Sequence, residues 1–162
     1  MFAVIICGLA VLSAACYRLP TAKIDLNFLL LFCFTIGVGS RLTVQIPKFK
    51  SHIAVSDTFI FLALLTYGGE LAIILSAVEA FFSSWRFCNR KLTVFFNSAA
   101  VAISTALVYL ALSFSGLNLD GPLQGNSSYP QKLVVALSII AVTQFIANTA
   151  LASIHDALKN EL

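Results

Sequence analysis

Charged residues are scarce in this sequence. Only 10% of its 162 residues are Asp, Glu, Lys or Arg, whereas a soluble domain carries about 25%. Hydrophobic residues make up 59%, and the mean hydropathy is +0.94. So few charges cannot cover a soluble surface, and the sequence therefore predicts a single integral membrane domain over residues 1–162. The ten Lys and Arg residues lie between apolar runs and act as topology signals, so no nucleic-acid partner is expected.

Motifs that carry enzyme chemistry are also missing. The sequence has no Gly-rich phosphate loop, no nucleophile elbow and no carboxylate pair at catalytic spacing. His52 has no Cys, Asp or Glu at ligand spacing, and the four cysteines form no Cys-x-x-Cys pair, so neither a metal site nor a disulfide framework is expected. The cysteines are expected to be small, buried hydrophobic residues. We therefore expect no enzyme and no cofactor.

Apolar runs long enough for helices divide the chain. They cover residues 2–17, 24–40, 56–85, 92–114 and 132–158. The first run follows no basic segment and precedes further apolar runs, which favours a membrane helix over a signal peptide. The 56–85 run exceeds the roughly 20 residues that span a bilayer, and Gly68, Gly69 and Glu70 interrupt it. It is either one long tilted helix or two short helices that turn at Gly-Gly-Glu.

These two alternatives give different bundles. The predicted fold class is an all-α membrane protein of about six transmembrane helices, or five if residues 57–85 form one helix. Six spans place seven of the Lys and Arg residues on the side of the N-terminus and three on the other, whereas five spans split them four against six. Because cytoplasmic loops concentrate Lys and Arg, six spans are favoured, with both termini in the cytoplasm of a bacterial inner membrane.

Residues 41–56 form a basic segment that differs from the apolar runs. Leu42, Val44 and Ile46 alternate with polar residues, and the alternation returns after Pro47. A period of two predicts two short extended segments, such as a hairpin at the membrane interface. An irregular basic loop is the alternative.

Glu79 is the leading candidate for a functional residue, because it lies inside an apolar helix. Ionised carboxylates are costly within a membrane and usually face the interior of a bundle. The side chain is expected to be protonated, or paired with Arg41 or Arg86, in a ligand-binding site. Alternatively, it is an interfacial residue that the basic turn after the helix satisfies.

Other polar residues have a structural explanation beside a functional one. Gln144 and Asn148 are four residues apart and therefore share one face of a helix. Together with Asn97 they would bind a ligand or simply join helices, and the second interpretation is favoured. Ser56 and Asp57 are expected to cap the helix that begins there.

A series of short motifs resembles a known protein family. R-L-T-V-Q-I-P at 41–47 is followed by I-A-V-S-D-T-F at 53–59, Y-G-G at 67–69, an acidic residue at 79 and F-N-S-A at 96–99. This series resembles the N-terminal membrane-sensor region of bacterial signalling proteins with GGDEF or HD-GYP output domains, which make or degrade cyclic di-GMP. The resemblance implies a sensory domain that detects a small or lipophilic molecule and signals to a cytoplasmic output domain. The sequence would then be the N-terminal part of a longer chain or a stand-alone copy.

The same arrangement is similar to the S components of energy-coupling-factor vitamin transporters. That similarity implies a substrate-binding membrane subunit, in which Ala10 and Ala14 would match a small-residue face that meets a coupling subunit. A third hypothesis is a structural subunit of a larger membrane complex. All three place the chain in a lipid bilayer and leave homo-oligomerisation open. The candidate ligand-binding residues are Arg41, Glu79, Asn97, Gln144 and Asn148.

Overall fold

A computed structural model shows how the helices are arranged. It describes residues 2–19, 24–38, 43–45, 52–54, 56–88, 90–116 and 129–160. The helices in these residues are α1 (Phe2–Tyr17), α2 (Leu26–Gly37), α3 (Ser56–Tyr67), α4 (Gly69–Phe87), α5 (Lys91–Phe114) and α6 (Tyr129–Asn160). Two short strands, β1 (Thr43–Gln45) and β2 (His52–Ala54), pair antiparallel with Val44 opposite Ile53. The predicted all-α class is confirmed, and the strands lie where the alternating segment predicts extended chain.

The 56–85 run forms two helices that turn at Gly68. This residue has φ 103° and ψ 173°, a backbone region that is essentially open only to glycine. Helix α4 begins directly after it, and Glu70 lies in the first turn of α4. The two-helix alternative is confirmed, although the break is one residue long and does not extend through Gly-Gly-Glu.

Among the described helices, two are long and apolar enough to cross a membrane. They are Lys91–Phe114 in α5 and Gln131–Leu151 in α6, and a core helix of a soluble protein meets the same criteria. Helices α1, α2 and α3 have 16, 12 and 12 residues, which give about 24, 18 and 18 Å against a hydrocarbon core of about 30 Å. Helix α4 is longer but carries Glu70, Glu79 and Arg86. Of the six helices in the described residues, two thus match a membrane span by length and composition.

The helices belong to two units, Met1–Ile103 and Ser104–Leu162. In the first unit α4 contacts α1, α2 and α3. Its side chains Leu71, Ala72 and Leu75 are each at most 2% exposed. Helix α4 is therefore the central helix of the first unit.

The cysteines are unpaired, and most of them are exposed. Helix α1 buries Gly8 and Ala15, and α2 buries Phe28 and Thr35. In each helix the two buried residues are seven positions apart and therefore lie on one face. The cysteines of these helices lie outside that face. The expectation that they are buried is wrong for Cys7, Cys16 and Cys33, which are exposed, while Cys88 is partly exposed.

Candidate functional site

Glu79 lies in α4 beside the first turn of α3. Asp57 precedes Gly68 by eleven residues and Glu79 follows it by eleven, so an antiparallel helix pair that turns at Gly68 brings the two carboxyl groups together. Glu79 is only 5% exposed, whereas Asp57 is partly buried. The described groups that act on the Glu79 carboxyl group are the hydroxyl of Ser56 and the carboxyl group of Asp57.

Ser56 is fully buried, and its hydroxyl oxygen makes no hydrogen bond with any described residue. The hydroxyl faces the Glu79 carboxyl group as a donor, in a contact that is longer or more bent than an ordinary hydrogen bond. An unpaired buried polar group costs about 1–3 kcal/mol and is rare in proteins. The prediction that Ser56 helps to cap α3 is therefore wrong, because packing against α4 places the hydroxyl beside Glu79.

The F-N-S-A motif at 96–99 ties α5 to α4. Asn97 Nδ2 donates a hydrogen bond to Ser84 Oγ at 3.1 Å, and Ser98 Oγ donates one to the carbonyl oxygen of Ala77 at 2.8 Å. Asn97, a predicted site residue, thus makes a helix–helix contact. This is the structural role that such polar residues often have between membrane helices.

The last residue of this motif, Ala99, lies against Gly8 of α1. A Cβ atom placed on Gly8 would be 2.6 Å from the Cα atom of Ala99, so only glycine permits this approach. Gly8 and Ala15 are buried, whereas Ala10 and Ala14 are exposed. The small residues of α1 therefore divide between an internal face and an external face.

In the second unit, one hydroxyl group faces two amides. Ser104 Oγ lies 2.8 Å from Gln144 Oε1 and 3.1 Å from Asn148 Oδ1, and it is the donor to both. The prediction that Gln144 and Asn148 share a helical face is confirmed by this common partner. Ser104 is fully buried and Gln144 is 8% exposed. A hydroxyl carries one proton and donates to one acceptor at a time, so the two amides share this donor.

Replacing Ser104 by alanine is expected to lower the free energy of unfolding by about 1–2 kcal/mol, because the buried Gln144 oxygen loses its donor. Thermal unfolding of the purified chain in detergent micelles measures the effect. The matched control is Ser138→Ala, since Ser138, Thr149 and Ser153 are exposed on α6 and donate to a carbonyl group of their own helix. This control should change stability by less than about 0.5 kcal/mol. Equal losses in both variants would contradict a specific role for Ser104.

The described candidate residues fall into both units. Glu79 and Asn97 belong to the first unit, and Gln144 and Asn148 belong to the second. Arg41, the fifth candidate, lies outside the described residues. Ser56 and Asp57 are new members of the Glu79 site. Asp57 and Glu79 are each eleven residues from Gly68, and this equal separation was the signal in the sequence that could have identified the pair.

Clusters of three or more His, Cys, Asp or Glu side chains that could hold a metal ion do not occur in the described part of the chain. The Glu79 site instead combines two carboxyl groups with a hydroxyl group. No protein-family model, curated protein or solved structure matches this chain.

Proposed function

We propose that the chain is a multi-pass sensory domain of a bacterial inner membrane, which binds a small ligand beside Glu79 and signals to a cytoplasmic output. The observation that supports this proposal is the burial of Glu79 and Ser56 between α3 and α4, with the Ser56 hydroxyl unpaired among the described residues. Ionisable side chains inside a membrane are costly and mark functional sites by default. A pair of short helices interrupted by glycine is also a feature of membrane binding sites.

Exposed apolar side chains support the membrane location. Phe2, Ile6 and Leu9 of α1 and Phe145 and Ile146 of α6 are each at least 55% exposed. Soluble monomers rarely expose contiguous apolar patches beyond a few hundred Å², whereas lipid favours such surfaces. In a six-span arrangement, seven of the ten Lys and Arg residues lie on one side. The positive-inside rule makes that side cytoplasmic, together with both termini.

Helix α6 offers a route for the signal. It is 32 residues long, and the apolar span within it ends at Leu151. The helix then continues to Asn160, about 14 Å further. In the proposed orientation this extension leaves the membrane on the cytoplasmic side, where an output domain or a partner would receive the signal.

A transporter subunit is the second candidate, and the external face of α1 favours it. Ala10 and Ala14 are exposed there, and small residues permit close contact with a helix of a coupling subunit. Stable co-purification with a membrane coupling subunit and an ATPase would favour this candidate over the sensor.

Ligand binding at Glu79 is expected to be lost in Glu79→Gln. The wild-type chain, purified in detergent and dialysed, should unfold at a higher temperature when the low-molecular-weight fraction of an extract of the producing cells is added, because ligands stabilise the state that binds them. Glu79→Gln should remove this rise. The matched control is Glu70→Gln, which changes the same chemical group in the first turn of the same helix and should retain the rise.

Two results would contradict the proposal. If Glu79→Gln and Glu70→Gln respond as the wild type does, no ligand binds beside Glu79. If the wild type shows no response and Glu79→Gln alters only assembly with other membrane proteins, the structural-subunit hypothesis is favoured.

A further inference from the structure

The junction of α4 and α5 carries a cluster of aromatic side chains at the surface. The ring centroid of Phe81 lies 5.5 Å from that of Trp85 and 5.6 Å from that of Phe95, so the cluster joins the two helices. Phe82, Trp85 and Phe95 are 49%, 61% and 50% exposed. The rings therefore pack on one another without entering the core, and their outer faces form a platform for an apolar group.

Three basic residues lie at the same junction. Arg86 is in the last turn of α4, and Lys91 is the first residue of α5. Arg90 precedes it, and its carbonyl oxygen accepts hydrogen bonds from the first turn of α5. All three are exposed. The sequence from 80 to 119 contains no Asp or Glu, so no acidic residue of this stretch neutralises the three charges.

A hydrogen bond keeps the aromatic and basic residues at one end of the helix pair. Asn97 of α5 bonds to Ser84, the residue before Trp85, at 3.1 Å. The end of α1 offers less, since the exposed Tyr17 adjoins one basic residue, Arg18. The surface at the junction, the α4–α5 corner, comprises Phe82, Trp85, Arg86, Arg90, Lys91 and Phe95.

We propose that the α4–α5 corner binds the headgroup of an anionic phospholipid in the cytoplasmic leaflet. Guanidinium and ammonium groups bind phosphate oxygens, and tryptophan rings lie at the headgroup level of membranes. A soluble phosphate ester would occupy the cations alone, whereas a lipid also covers the rings. The positive-inside orientation places the corner where anionic lipids attract basic residues. This inference rests on the membrane location and orientation in the proposed function, but not on a ligand at Glu79.

Trp85 is the only tryptophan in the sequence, so its fluorescence reports on lipid at the corner. The full chain is reconstituted in phosphatidylcholine vesicles, in which phosphatidylglycerol or phosphatidylcholine with brominated acyl chains replaces part of the lipid, because bromine quenches tryptophan on contact. At equal mole fraction, we expect brominated phosphatidylglycerol to bind about fivefold more tightly or better, as one engaged basic side chain would give. This preference should shrink at about 1 M NaCl, which screens exposed charges.

Neutral variants locate the preference. Arg90→Gln should reduce it severalfold, and the combination of Arg86→Gln, Arg90→Gln and Lys91→Gln should bring it to about one. The matched control is Arg18→Gln, which removes one exposed positive charge beside an exposed aromatic residue on the other side of the membrane, and it should keep the wild-type preference.

Three results would overturn the proposal. They are equal quenching by the two lipids in the wild type, an undiminished preference in the triple variant with native helix content by circular dichroism, and displacement of phosphatidylglycerol by free glycerol phosphate. After any of these, an extract response that depends on Glu79 would leave the proposed function standing. Absence of quenching by either lipid would place Trp85 away from the bilayer, which contradicts this proposal and the membrane orientation together.

Discussion

Replacing Gly68 by alanine is expected to lower the free energy of unfolding by about 1–3 kcal/mol, because a Cβ atom is strained at φ 103° and ψ 173°. The strain would be relieved if the residue became helical and joined α3 to α4. Alanine favours that change, since its helix propensity exceeds that of glycine by about 1 kcal/mol. A continuous helix from Ser56 to Phe87 would be about 48 Å long, and Asp57 would no longer lie beside Glu79.

Two measurements on Gly68→Ala follow from this reasoning. The unfolding temperature in detergent should fall, and the stabilisation by ligand should weaken in parallel, because the helix pair forms the site. Gly37→Ala is the control, since a Cβ atom at Gly37 meets no atom within 4 Å, and its effect should stay within about 0.5 kcal/mol. Unchanged stability and unchanged ligand response in Gly68→Ala would show that the sharp turn is not required.

Gly8→Ala is expected to destabilise the first unit despite the better helix propensity of alanine. The added Cβ atom would lie 2.6 Å from the Cα atom and 3.0 Å from the carbonyl oxygen of Ala99. These are backbone atoms of a helix, so α1 must move away from α5. Overpacking of this kind costs about 1–3 kcal/mol, and the propensity gain recovers about 1 kcal/mol, so a net loss of up to about 2 kcal/mol should appear in thermal unfolding.

A double variant and a control sharpen this prediction. Combining Gly8→Ala with Ala99→Gly should restore only part of the stability, because the approach to the Ala99 Cα atom persists after its Cβ atom is removed. Ala10→Val adds volume on the exposed side of the same helix and should change stability little. A gain in stability for Gly8→Ala would show that α1 and α5 are not in close contact there.

Hydropathy and glycine positions predicted most of the helices. The run at 2–17 matches α1. The glycines near residue 68 predicted either one long helix or two short ones for the 56–85 run, and the positive φ of Gly68 separates α3 from α4. The last apolar run was predicted to begin at residue 132, but α6 begins at Tyr129. Its first turn includes Pro130, a position where the missing backbone N–H of proline costs no helical hydrogen bond.

The rotation of each helix about its axis was not predictable from composition. Gly8 and Ala10 are both small residues of α1, yet one is buried and the other is exposed. Ser56 was expected to cap its own helix, α3, but its hydroxyl faces Glu79 of the neighbouring helix α4. The sequence predicted a site at Glu79 because a carboxylate is costly inside an apolar helix, and Glu79 is buried, whereas its neighbours depend on how α3 packs against α4.

The exposed hydroxyl groups of α6 make this helix more compatible with hydrocarbon than its residue types imply. Ser138, Thr149 and Ser153 each donate to the carbonyl group one turn earlier. Transfer scales assign to serine and threonine the cost of moving a free hydroxyl group out of water, and an internal bond of this kind offsets much of that cost. Within the apolar span 131–151, the outer surface of α6 can therefore meet acyl chains without presenting the donors of Ser138 and Thr149 unsatisfied, and these residues need no polar neighbour on another helix.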